Sequence, residues 1–89
     1  MTRNETSPLV FPTDYPIKVV GRQDSMPRER IDSVVLRHVP DLVEAQIRQR
    51  ASGQQNFVSI TYTIVAQSRE QVIGLVTELS ATEGVLMVI

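Results

Sequence analysis

The sequence predicts an α+β sandwich of order βαββαβ, a four-stranded antiparallel sheet with both helices on one face. Three observations predict it. Segments that alternate apolar and polar residues, or are rich in β-branched residues, recur four times. Two segments carry apolar residues at helical spacing, one in each half of the chain. Turn-forming residues punctuate the boundaries between them.

The elements follow in order. Residues 1–10 are polar, contain Ser7-Pro8 and read as a flexible N-terminal arm, with residues 11–89 as a single domain. The apolar triplet Leu9-Val10-Phe11, followed by Pro12, suggests a segment pinned onto the body of that domain. Tyr15 to Gly21 is apolar, β-branched and bounded by turn residues, so it reads as the first strand, with Pro16 near its start where a missing N–H costs least. Asp24 or Ser25 is expected to cap a helix opening near Pro27. Ile31, Val34, Val35 and Val39 form its apolar stripe, and Pro40-Asp41 stops it.

Val43 to Arg50 alternates and reads as the second strand, with Val43, Ala45 and Ile47 inward and Glu44, Gln46, Arg48 and Arg50 outward. Ser52 to Asn56 is a hairpin loop. Phe57 to Ala66 is the third strand, with Val58, Ile60, Tyr62 and Ile64 on one face and Ser59, Thr61 and Thr63 on the other. Ser68 and Gln71 make a capping box that opens the second helix. Its stripe is Val72, Leu75, Val76 and Leu79. Gly74 inside it costs about 1 kcal/mol against Ala, and close approach of another element would offset that. Gly84 ends the link to a fourth strand, Val85 to Ile89. Right-handed connections of two such units give the ferredoxin-like arrangement, with the first and third strands central and the second and fourth at the edges.

Composition narrows the function. The chain has 89 residues and a net charge of −1, which gives no electrostatic reason to expect nucleic acid or anionic lipid as a partner. A domain this small buries about 60–65% of the surface of its unfolded chain, so a homodimer would supplement its stability. There is no cysteine, hence no disulfide or thiol chemistry. No leader-like or membrane-length apolar stretch is present, and the expected location is cytoplasmic. Eight of the nine basic residues are Arg, a skew that genome composition alone would explain.

No catalytic set stands out, so the chain is expected not to be an enzyme. His38 is the only histidine and sits where a helix ends, a position a surface residue commonly occupies. One His without Cys is too few for a metal site, and the glycines make no phosphate-cradling spacing. No cofactor or metal is therefore expected. RNA recognition on the open sheet face needs stacking aromatics, and Phe57 alone has the right parity.

The run Phe11-Pro12-Thr13-Asp14-Tyr15-Pro16-Ile17-Lys18-Val19-Val20-Gly21 resembles the opening signature of the YbeD-like family of small bacterial proteins. The resemblance continues through Val58-Ser59-Ile60-Thr61, Ser68 to Val72 and the terminal apolar strand. It implies a ferredoxin-like fold similar to ACT-type regulatory domains, which bind small effectors near the loop after the first strand. By position, that points to Gly21, Arg22, Gln23 and Asp24, with Lys18 nearby. The family has no settled activity, and some members are linked by gene neighbourhood to lipoate metabolism, an association and not a mechanism.

Two surfaces follow. The Gly21 to Asp24 loop with Lys18 is the expected ligand site, although an ordinary turn, cap and solvated lysine would read the same way. Val85, Leu86, Met87, Val88 and Ile89 form an edge without charged guards, expected to be covered by the Leu9-Val10-Phe11 segment or by a second subunit. The function expected is a non-enzymatic regulatory or small-ligand-sensing module acting through a dimer or a partner protein. The alternative is a protein–protein adaptor with no small ligand, and an RNA-binding domain comes third.

Overall fold

The computed structural model describes residues 10–53 and 56–89. The expected N-terminal arm lies outside the described residues except for Val10, and so does Leu9. The elements are β1 (Thr13–Arg22), α1 (Arg28–His38), a 3-10 turn (Glu44–Gln46), β2 (Ile47–Ala51), β3 (Phe57–Ala66), α2 (Arg69–Ser80) and β4 (Val85–Val88). The sheet order is β2-β3-β1-β4, antiparallel at every step. This is the predicted fold, with β1 and β3 central.

One long pairing organises it. β1 and β3 are matched from Thr13↔Ala66 to Arg22↔Phe57 without a break. Successive side chains on a strand alternate between faces. Ile17, Val19, Val58, Ile60, Tyr62, Ile64 and Ala66 therefore face the helices, and all are buried. They meet the predicted helix stripes, Ile31, Val34, Val35 and Val39 from the first and Val72, Leu75 and Leu79 from the second. Burying each Val, Leu or Ile contributes about 1.5–3 kcal/mol.

Three local readings need correction. The segment before β2 is not extended. Residues 44–46 form a 3-10 turn, so strand pairing starts at Ile47, and Val43 and Ala45 are exposed. Gln46 stabilises this turn, because its side-chain oxygen accepts from the Val43 amide at 2.9 Å while its amide donates to the Thr63 carbonyl at 3.0 Å. Glu44 points toward α1 instead of the open face and takes both its bonds from Arg28, at 2.7 and 2.8 Å. Neither Asp24 nor Ser25 caps α1; Pro27 stands at the cap with no side-chain bond, and the Ser25 hydroxyl donates to Asp24. At α2, Ser68 accepts from the Gln71 amide as expected, but the Gln71 side chain bonds the Gln67 amide and the His38 carbonyl. It thereby ties the start of the second helix to the end of the first.

Gly21 and Gly84 differ from Gly74. A Cβ on Gly21 would stand 2.4 Å from the Gly84 carbonyl oxygen and 2.5 Å from Met26 Sδ. Gly84 itself has φ +96 and lies against the Ser25 backbone. By contrast, a Cβ on Gly74 would meet only the His38 ring, at 3.6 Å, an ordinary contact.

A polar chain braces the helix side of the sheet. The Tyr62 hydroxyl donates to Asp32 at 2.5 Å, and Arg28 bridges Asp32 and Glu44. Burial, then the bond to Asp32, pushes the Tyr62 phenol well above its ordinary value.

Gly74→Ala should raise unfolding free energy by about 1 kcal/mol, the helix-propensity difference, since the space is already present. Gly21→Ala should lower it by about 1–3 kcal/mol through overpacking. Urea denaturation of both variants checks the pair, and equal effects would contradict the packing described. Tyr62 makes a second expectation. Its folded pKa lies above the unfolded one, so its neutral form stabilises the fold fully below about pH 10, and that contribution falls as pH rises above it. Tyr62→Phe should cost about 1–3 kcal/mol at neutral pH and flatten the alkaline decline in urea midpoints. A parallel decline in both proteins would assign it to other groups.

Candidate functional site

The residues expected to form a ligand site are distributed over different surfaces. Gly21 is buried on the helix side, and its space is filled by Met26 and the Gly84 carbonyl. Gln23 and Asp24 are exposed in the turn, where the Gln23 amide donates to the Asn56 carbonyl at 2.8 Å and Asp24 accepts from Ser25. Arg22 lies on the open face with its guanidinium 5.7 Å from the centre of the Phe57 ring. Lys18 is exposed on the same face, two residue pairs along β1 from Val20 and four from Arg22.

The pairing registers assemble a different constellation around Lys18. Residues directly opposite one another in antiparallel strands share a face. One row across the sheet therefore reads Met87, Val20, Ser59, Arg50. The next reads Ile89, Lys18, Thr61, Arg48, where Ile89 and Lys18 exchange backbone bonds of 2.8 and 3.1 Å. Both rows run from apolar at β4 to cationic at β2. Three strand spacings of about 4.8 Å separate the ends, so the gradient is about 14 Å long.

Two concavities lie along it. One, of about 430 Å³, is lined by Val20, Phe57, Leu86 and Met87 among others. The second, of about 410 Å³, is lined by Lys18, Arg48, Gln49, Thr61 and neighbours. Arg50 and Ser59 line both, which makes them two ends of one trough.

A bulge shapes the apolar end. Val20 pairs with Met87 while Gly21 pairs with Val85, so Leu86 is an extra residue in β4. Leu86 and Met87 are consecutive, yet both line the same concavity. The sequence shows a bare apolar strand but not which of its side chains share a face, because the bulge depends on how β4 seats against Gly21. Leu86, Met87 and Ile89 are 60%, 50% and 69% exposed.

Among the described residues, no carboxylate lies within 4 Å of Lys18, Arg48 or Arg50; the ion pairs are Arg28 with Asp32 and Glu44, and Arg37 and His38 with Glu78. His38 Nε2 is 2.7 Å from Glu78 in a helix-to-helix contact. Among the described residues no group of three or more His, Cys, Asp and Glu converges as metal ligands, and no helix is long and apolar enough to cross a membrane. No strand of the described residues pairs with the outer side of β4. Val10 is 80% exposed, and Phe11 packs against the core.

The comparisons with known proteins agree with this architecture. A solution structure of the C-terminal domain of the MgtC protein from Mycobacterium tuberculosis superposes with a TM-score of 0.66 over 91% of this chain and 88% of that one, at 20% identity. That likeness is one of fold. A UPF0250 protein of Shewanella sediminis is 43% identical over 91% of this chain and 90% of its own length. One from Ectopseudomonas mendocina is 36% identical over the full length of both. The family model described as "Protein of unknown function (DUF493)" matches residues 6–89. The chain, whose opening motif resembles the YbeD-like proteins, belongs to this DUF493/UPF0250 family.

Proposed function

We propose that this chain is a non-enzymatic regulatory module that senses a small ligand and acts through a dimer or a partner protein. The observation that carries the reading is the trough on the open sheet face, where one apolar concavity and one cationic, hydroxyl-lined concavity share Arg50 and Ser59. Ligand sites are concave, largely apolar and supplied with a few placed polar groups, and this surface has that composition. Lys18, one of the residues expected from sequence, contributes to it. Of the Gly21 to Asp24 loop, Gly21 supports it from below, pairing with Val85 and packing against the Gly84 carbonyl at the start of β4.

The adaptor reading rests on a different observation. The outer side of β4 has no strand neighbour among the described residues, and Leu86, Met87 and Ile89 are exposed. An added strand from another protein would pair there.

Thermal-shift screening of the full chain against amino acids, lipoate-related acids and nucleotides separates the readings. A ligand present at a hundred times its Kd stabilises by about 2.7 kcal/mol, which for a domain of this size raises Tm by about 10 °C or more. Native mass spectrometry of the purified protein should then show the same small mass retained. A flat panel together with a strictly monomeric chain would sink the sensor reading. A stoichiometric polypeptide retained with no small molecule would replace it with the adaptor.

A further inference from the structure

Resting on the sensor reading above, we infer that the trough's ligand class is an amphipathic organic anion, held with its anionic head at Arg48, Arg50 and Lys18 and its apolar tail across Val20 toward Leu86 and Met87.

The head end follows from charge and geometry. Arg48 and Arg50 are alternate residues of β2, so both project from the open face. Lys18 stands in the same row as Arg48, with Thr61 between them. Ser59 stands beside Arg50 in the next row. Three cations and two hydroxyls thus surround one concavity, and no carboxylate of the described residues lies within 4 Å of those cations. Guanidinium groups offer paired parallel donors to carboxylate or phosphate oxygens, and the hydroxyls donate one bond each. Either head would satisfy this end.

The tail end follows from the bulge. By placing Leu86 and Met87 on one concavity with Val20 and Phe57, it makes an apolar floor continuous with the cationic end through Ser59 and Arg50. From Arg50 to Val20 is two strand spacings, about 10 Å, and to Met87 three, about 14 Å. The fitting ligand is therefore a medium-length chain with one charged end. A free amino acid is too short to reach both ends. A nucleic acid base would find Phe57 as its only aromatic on the open-face rows described, and Arg22 already lies over that ring.

The test is a titration of the isotopically labelled full chain, followed by backbone amide NMR, with butanoate, hexanoate, decanoate, hexyl phosphate and hexan-1-ol. Shifts should concentrate at Val20, Arg50, Ser59, Thr61 and Met87, and affinity should rise from butanoate to decanoate. Hexan-1-ol should bind at least about ten-fold more weakly than the better of the two six-carbon anions, a difference of about 1.4 kcal/mol. The double variant Arg48→Ala, Arg50→Ala, at exposed positions, should keep a folded spectrum and lose about ten-fold or more in affinity for the anions. Met87→Ser should flatten the dependence on chain length. Whichever of hexanoate and hexyl phosphate binds more tightly identifies the head.

Shifts elsewhere, equal binding of the alcohol, or no loss in the double variant would overturn the inference. So would movement of these amides on dilution of the protein alone, which would make the face a contact between two copies. If a metabolite from the thermal panel binds while none of these anions moves the trough amides, the ligand class fails and the sensor reading stands. If neither gives binding, both fail.

Discussion

The unbroken pairing of β1 with β3 is the constraint on which the remaining structure depends. It fixes the parity of every residue from Thr13 to Arg22 and from Phe57 to Ala66. With β1 held in place, a slip of one residue would turn β3 over, bringing Thr61 toward the helices and pushing Val58, Ile60, Tyr62 and Ile64 toward solvent. The cost of that exchange, several buried aliphatic side chains and a buried phenol, is what holds the register. The open-face rows exist only because this register and those of the two edge strands agree.

The edges are held by different means. β2 is anchored on the helix side, where the Tyr62–Asp32–Arg28–Glu44 chain reaches from β3 through α1 to the turn that precedes it. β4 is held by close backbone approach, with Gly21, Gly84, Ser25 and Met26 packed so tightly that no Cβ fits at either glycine. Both anchors lie on the covered side of the sheet. The open side is left without internal ion pairs among the described residues, and that division separates the bracing of the fold from the surface available to a ligand.

The fold was largely legible because its signals are local. Alternation over Phe57 to Ala66 and the helical stripes at Ile31 to Val39 and Val72 to Leu79 each report one element's own burial. The opening motif and element order also pointed to the right family. The errors arose where a local pattern had two structural solutions. Val43 to Ile47 alternates as a strand would, yet Gln46 closes it into a turn, and Glu44's partner is Arg28, which no local reading connects to it. The trough was hidden for a related reason. The alternation directs Arg48 and Arg50 outward, but their alignment with Lys18, Thr61, Ser59, Val20 and Met87 depends on three registers at once. Leu86 could not be assigned a face without the bulge.

That bulge makes β4 unusually intolerant of changes in length. Four residues with one extra step present two neighbouring side chains to the same concavity while Val85 and Val88 still pack against the core. Removing one residue between Gly84 and Ile89 would restore plain alternation, turning an open-face apolar pair into one outward and one inward side chain. The hairpin loop following Ser52 carries no such obligation, since its length sets no side chain's face in β4. Natural insertions and deletions in this chain should therefore gather at the hairpin and avoid the last strand, even though that strand is short, peripheral and bare.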